Sequence, residues 1–109
     1  MSMNCDETLG TLLPALLRRR PGAVRSGAVV QVIVPDAREC RWFYEFHEDD
    51  VVATRGVSTS SDLTLSFVSE DLARFLDDTI DFDHALATKR VKVMGDASLL
   101  LALAAAVRQ

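Results

Sequence analysis

The stretch that decides the reading is Val91-Lys92-Val93-Met94-Gly95-Asp96, followed by Ala97-Ser98-Leu99-Leu100-Leu101-Ala102-Leu103-Ala104-Ala105-Ala106-Val107-Arg108-Gln109. A short alternating strand stops at Gly95-Asp96 and passes straight into a helix with no charge from residue 99 to residue 107. A surface helix of a small globular protein normally carries a polar face. Here none is present before Arg108. Its own sheet, a partner subunit or a bound apolar ligand must therefore cover most of its circumference.

On a helical wheel, Leu99, Leu100, Leu103 and Val107 fall within one stripe about 100° wide, enough to dock on a sheet. Burying each contributes roughly 1.5–3 kcal/mol, so the stripe belongs to the main core. The rest of the circumference is Ser98, Leu101, Ala102, Ala104, Ala105 and Ala106. Alanine is the best helix former, and these residues need do no more than keep the helix formed. Small side chains also leave room for a ligand, or a flat surface for a partner. The wheel alone leaves the three readings open.

Working outward, 109 residues suffice for one domain with a single core. An apolar share of 49% predicts a globular chain and not a disordered one. A net charge of −4 argues against nucleic acid, whose binders carry clustered positive charge. No run approaches the ~18 apolar residues needed to cross a bilayer, so the chain is not membrane-spanning. The segment Met1-Ser2-Met3-Asn4-Cys5-Asp6-Glu7 has neither a basic nor an apolar leader region, which points to the cytoplasm. In that compartment Cys5 and Cys40 are expected as reduced thiols, and their spacing matches no zinc motif.

The first element reads as a helix. Leu9, Leu12, Leu13, Leu16 and Leu17 recur at helical spacing, with Asp6 as the cap. Pro14 predicts a kink or two short pieces, with Pro14 in a first turn. Arg18-Arg19-Arg20 at its end complements the helix dipole and stays solvated. Strands follow over 28–34, 40–47 and 51–55. The second places Trp42, Tyr44 and Phe46 on one face. After a Ser/Thr-rich loop over 57–61, Leu63, Leu65 and Phe67 mark a fourth strand. Ser69 as N-cap then starts a helix bearing Leu72, Phe75 and Leu76. A second short helix, capped by Asp81 or Asp83, carries Phe82, Ala85 and Leu86. Tight turns predict antiparallel pairing for the first three strands, and helices packed mainly over one sheet face.

The inventory of reactive groups is thin. His47 and His84 have no partner at a metal-ligand spacing. The acidic run Asp77-Asp78-Thr79-Ile80-Asp81-Phe82-Asp83 lacks the glycine and the final glutamate of a calcium loop, and helix capping accounts for it. Gly10, Gly22, Gly27, Gly56 and Gly95 form no phosphate-binding loop, and no Gly-x-Ser-x-Gly elbow exists. Neither catalytic nor metal-ligating residues nor a cofactor are expected.

The order of the pieces carries a resemblance. Asp62-Leu63-Thr64-Leu65-Ser66-Phe67, then Ser69-Glu70-Asp71-Leu72, a short helix, Lys89-Arg90, the strand reaching Gly95-Asp96 and the apolar helix resemble the sterol carrier protein 2 (SCP2) family. Leu12-Leu13-Pro14 in a first helix and the aromatic strand Arg41-Trp42-Phe43-Tyr44 agree with it. The resemblance implies an α/β (α+β) fold with about five strands in a largely antiparallel or mixed sheet, its helices enclosing an apolar tunnel. It implies a small stand-alone carrier of sterols, fatty acids or fatty acyl-CoA. The ending Val107-Arg108-Gln109 departs from the peroxisomal tripeptide of the eukaryotic carriers.

On that reading the ligand lies between sheet and helices against Trp42, Phe67, Phe75, Leu76, Phe82, Met94, Leu101 and Ala105. The alternative is an accessory module whose cavity has closed. Such a module would use the apolar helix to form a homodimer or to dock on an enzyme partner.

Overall fold

The computed structural model describes residues 4–77 and 79–107. The expectations that touch Asp78, Arg108 and Gln109 lie outside them. Strands β1 (Val29–Ile33), β2 (Arg41–Phe46), β3 (Val51–Arg55), β4 (Leu63–Phe67) and β5 (Val91–Gly95) form one sheet in the order β3-β2-β1-β4-β5. Pairing is antiparallel except between the central strands β1 and β4, which run parallel. The sheet is therefore mixed, as expected of the fold.

Parallel pairing needs a crossover. The chain leaves the β3 edge and crosses over to the far side of β1. Gln31 holds this crossover in place. Its Nε2 donates to the carbonyls of Trp42 and Gly56, both at 3.0 Å, and its Oε1 accepts from Ser58 N–H at 2.7 Å. Only 2% of Gln31 is exposed, and the amide is satisfied at both ends.

The register sorts the side chains by face. One row runs Arg55–Trp42–Val32–Leu65–Val93 and the next Ala53–Tyr44–Val30–Leu63–Gly95. Val30, Val32, Tyr44, Leu63 and Leu65 in these rows are fully buried. The opposite face carries Thr54, Phe43, Gln31, Thr64 and Met94 in one row.

Helices α1 (Cys5–Glu7), α2 (Leu13–Arg18), α3 (Ser69–Leu76), α4 (Phe82–Ala87) and α5 (Ala97–Val107) complete the fold. The segment around α2 covers the β3 side, α5 packs on α2 and β4, and α3 and α4 cover β4 and β5. Leu9, Leu13 and Leu17 enter the same core as Leu99, Leu103, Ala106 and Val107.

The N-terminal segment is divided by a π-helical turn over Thr8–Leu12. Leu13 N–H reaches back five residues to the Thr8 carbonyl, and Pro14 has no N–H to offer. The Leu9 carbonyl thus lacks its usual backbone donor. Tyr44 supplies one, its hydroxyl donating to Leu9 O at 2.6 Å in the buried layer. Burial pushes the Tyr44 phenol up, so it stays a neutral donor.

Four local expectations are corrected. Asn4, not Asp6, caps α1, accepting from Glu7 N–H at 3.1 Å; Asp6 instead pairs with Arg55. Val68 occupies the N-cap of α3 and Ser69 is its first residue, whose N–H donates to Asp36 Oδ1. Arg18 is more than a solvated charge, because its guanidinium donates to the Val51 carbonyl at 2.8 and 3.1 Å. The largest correction concerns the cysteines. Cys5 and Cys40 form a disulfide with Cα atoms 5.6 Å apart. The expectation of free thiols followed from the compartment, and a partner 35 residues away leaves no spacing signature to oppose it. Closing a loop of that length stabilises by roughly 3–4 kcal/mol through the unfolded chain.

Two substitutions check this account by urea unfolding. Tyr44→Phe should destabilise by about 1–3 kcal/mol, because it strands the Leu9 carbonyl. Gly95→Ala should cost at least about 2 kcal/mol. Gly95 sits at φ +102°, and an added Cβ would strike the Asp62 carbonyl.

Candidate functional site

The side of the sheet covered by helices gathers five of the eight residues expected to meet a ligand. Phe67 from β4, Phe75 from α3 and Phe82 from α4 form a continuous aromatic row. Ring centroids lie 5.2 Å apart for the first pair and 5.8 Å for the second, which meets edge-on at 75°. The row forms because Phe67 alternates inward on its strand and Phe75 shares the inner stripe of α3 with Leu72. Leu76 and Phe82 are half-buried against this core. Trp42 reaches the same layer from β2, two strands away.

Trp42 is unusual in two respects. Its indole lies against Gly10 so closely that a Cβ there would meet the ring at 2.6 Å. Its Nε1–H is buried and finds no acceptor among the described residues. Native cores rarely keep such a donor.

Three expected residues stand elsewhere. Met94 projects from the opposite face and is 69% exposed, because Val93 takes the inward position of β5. Leu101 is 74% exposed and Ala105 is exposed as well, on the outer side of α5. The buried stripe of α5 is rotated relative to the wheel reading. Ala106 joins Leu99, Leu103 and Val107 in full burial, while Leu100 is only half-buried.

The sequence reading passed over a polar cluster beside the aromatic row. Asp71, 2% exposed, accepts from Arg74 Nη1 at 2.8 Å and from Arg90 Nε at 2.9 Å. Glu70 takes the second arm of each arginine, at 2.7 and 2.8 Å. Glu70 and Asp71 preceding Arg74 at helical spacing were a visible signal; Arg90 was not, since only the fold brings it back. A polar cleft of about 320 Å³ opens here, with Thr79, Asp81 and His84 on its rim. A second, of about 330 Å³, lies at the β1–β2 turn among Pro35, Arg38, Glu39 and Arg41. No group of His, Cys, Asp or Glu among the described residues could hold a metal ion. No helix among them is long and apolar enough to cross a membrane.

With this geometry, the comparisons with known proteins become decisive. The sequence profile of the SCP-2 sterol transfer family matches residues 14–108. The chain belongs to that family. No curated protein sequence matches it. Among solved structures, the UbiJ-SCP2 ubiquinone synthesis protein superposes with a TM-score of 0.73 at 19% identity, over 98% of this chain and 93% of that one. Palmitated SCP2L2 from Aedes aegypti gives 0.66 at 24% identity, over 93% and 92% of the two chains. The sec-alkylsulfatase Pisa1 from Pseudomonas sp. gives 0.80 at 16% identity over 98% of this chain, which spans 17% of that enzyme. At these identities the likenesses establish the SCP2 fold. Family membership supports lipid binding in general terms.

The Asp71 cluster yields a pH test. Burial works to raise the carboxyl, yet the hydrogen bonds from Arg90 and Arg74 outweigh it and hold Asp71 below the ordinary carboxylate range. With the folded-state value depressed, the stabilisation is present above the unfolded value near 4 and is lost as pH falls through the folded one. Asp71→Asn should cost about 2–3 kcal/mol in urea melts at pH 7, since two arginines lose a buried partner. That gap should narrow on acidification below about pH 4.

Proposed function

We propose that this SCP2 member binds an apolar small molecule with a single polar head, of the sterol, fatty acid or fatty acyl-CoA class. The ligand would lie in the layer between the sheet and its helices. The reading rests on one observation: the layer retains the Trp42 indole N–H without an acceptor among the described residues. An unpaired buried donor costs about 1–3 kcal/mol, so a core serving packing alone gains nothing by keeping it. A ligand hydroxyl or carboxylate oxygen would complete it, with Phe67, Phe75, Leu76 and Phe82 accommodating the apolar body. Binding of this kind is non-catalytic, in keeping with the thin inventory of reactive groups. The cytoplasm remains the proposed compartment, and a reversible Cys5–Cys40 bond reconciles it with the disulfide.

The test is to purify the protein, record native mass spectra and identify what organic solvent releases. A stoichiometric lipid or acyl species is expected. A clean apo mass, with no uptake of a fluorescent fatty acid, would sink the reading. Trp42→Phe should weaken fatty acid binding by about fivefold, the worth of one hydrogen bond. Unchanged affinity would remove the indole N–H from the site.

A second reading draws on Leu101. A large apolar side chain 74% exposed on an uncharged helix suits an accessory module that docks on a second copy or an enzyme. Leu101→Asp should leave the fold and fatty acid binding intact under the carrier reading. Dissociation of a dimer in sedimentation runs, without loss of fold, would favour the module.

A further inference from the structure

We infer that the outer edge of β5 is an interaction surface for a second copy of this chain, the two strands pairing antiparallel about a two-fold axis at Met94.

The sheet has two edges, and only one is guarded. An unpaired edge strand invites another strand to join it, and native folds block such edges. On β3 the block is present. Alternation in the β2–β3 ladder turns the N–H and C=O of Val51 away from β2. Asp50 Oδ1 accepts that N–H at 2.8 Å, and the Arg18 guanidinium donates to the carbonyl at 2.8 and 3.1 Å. The N-terminal helical segment lies along the same strand.

On β5 the guard is missing. Its ladder with β4 is closed at one end by Val68 N–H on the Arg90 carbonyl at 3.2 Å, and at the other by Asp96 N–H on the Asp62 carbonyl at 2.9 Å. Between them Lys92 and Met94 turn their backbone groups to β4, because hydrogen-bonded pairs alternate. Each peptide unit is planar and trans, so the N–H and C=O of Val93 and of Gly95 point the opposite way. None of these four groups has a hydrogen-bond partner among the described residues. Lys92, Met94 and Gly95 are exposed, and Val93 is half-buried. Val91 is fully buried, which closes the edge on that side, and α5 closes it on the other from Ala97 onward.

So bounded, the edge selects its occupant. A two-fold axis at Met94 sets Val93 opposite Gly95 of the second copy and Gly95 opposite its Val93, so every free group on both strands finds a partner. An axis at Val93 would call on the buried Val91, and one at Gly95 would call on Ala97 inside α5. The side chains suit the same axis. Met94, 69% exposed on the outer face, meets its own counterpart. Lys92, the only charged residue of β5, comes opposite Asp96 of the second copy, once on each side of the axis. The strand thus complements itself in hydrogen bonds, apolar contact and charge, which is what a two-fold interface requires.

Sedimentation equilibrium over a concentration series, with residue-resolved amide hydrogen exchange, tests the pairing. A reversible dimer is expected. As concentration rises, the Val93 and Gly95 amides should exchange more slowly, while the Lys92 and Met94 amides, already bonded to β4, change little. Met94→Lys sets like charges against each other at the axis and should weaken the dimer about tenfold. The exposure of Met94 leaves the monomer folded in that variant, which circular dichroism verifies. Leu101→Asp should leave the dimer unchanged. A monomer at every concentration would leave the edge to an extended segment of another protein and overturn the pairing. A dimer lost in Leu101→Asp but indifferent to Met94→Lys would seat the second copy on α5 and overturn it too. So would a dimer whose Val93 and Gly95 amides gain no protection.

Discussion

Asp62 ties together the strands that make this sheet possible. Its carboxylate accepts from Val29 N–H at 2.9 Å at the start of β1, and its carbonyl accepts from Asp96 N–H at 2.9 Å at the end of β5. Gly95, at φ +102°, lets the two backbones approach to a distance no side chain would tolerate. Asp96 then turns the chain into α5 by accepting from Ser98 N–H at 3.0 Å. Hydrogen bonds from the Ser98 hydroxyl and N–H hold the Asp96 carboxyl below its ordinary range. Arg25 lies 4.0 Å from Asp62 and 3.7 Å from Asp96, so it balances both charges. One node thus joins β1, β4, β5 and the helix that closes the core.

The parallel β1–β4 pair is what this node secures, and the location of the candidate site follows from it. The crossover takes one face of the sheet, fastened by Gln31. The helices take the other. The helical layer is apolar, with three departures. Tyr44 is matched by Leu9, Asp71 is matched by two arginines, and Trp42 is matched by nothing among the described residues. Two of these polar groups are satisfied and one is not. The six-membered ring of the Trp42 indole lies against Gly10.

Much of this was legible in the sequence. Strand alternation put Trp42, Tyr44 and Phe46 on one face and marked Leu63, Leu65 and Phe67 as a strand's apolar residues, and these are the sides the structure turns to the core. Gly95-Asp96 marked the strand-to-helix corner. Asp81 was one of two candidate caps and is the one used, accepting from His84 N–H at 3.1 Å. Periodicity worked less well on α5. A helix without polar residues gives no phase signal, so Leu101 and Ala105 were placed inward although they face out. Met94 was expected at the ligand, yet it alternates with the inward Val91 and Val93 and projects from the outer face.

By itself the sequence determined which elements form and which side of each strand is dry, because those depend on neighbours two to four residues apart. It also carried the order of elements that marks the SCP2 family. Only the tertiary structure decided what those elements meet. The Cys5–Cys40 bond, the return of Arg90 to Asp71, the hydroxyl of Tyr44 under a proline-broken turn and the packing of Gly10 on the Trp42 ring all join residues far apart in the chain. Such pairs leave no periodicity, since the distance between them is set by how the sheet closes and not by local spacing.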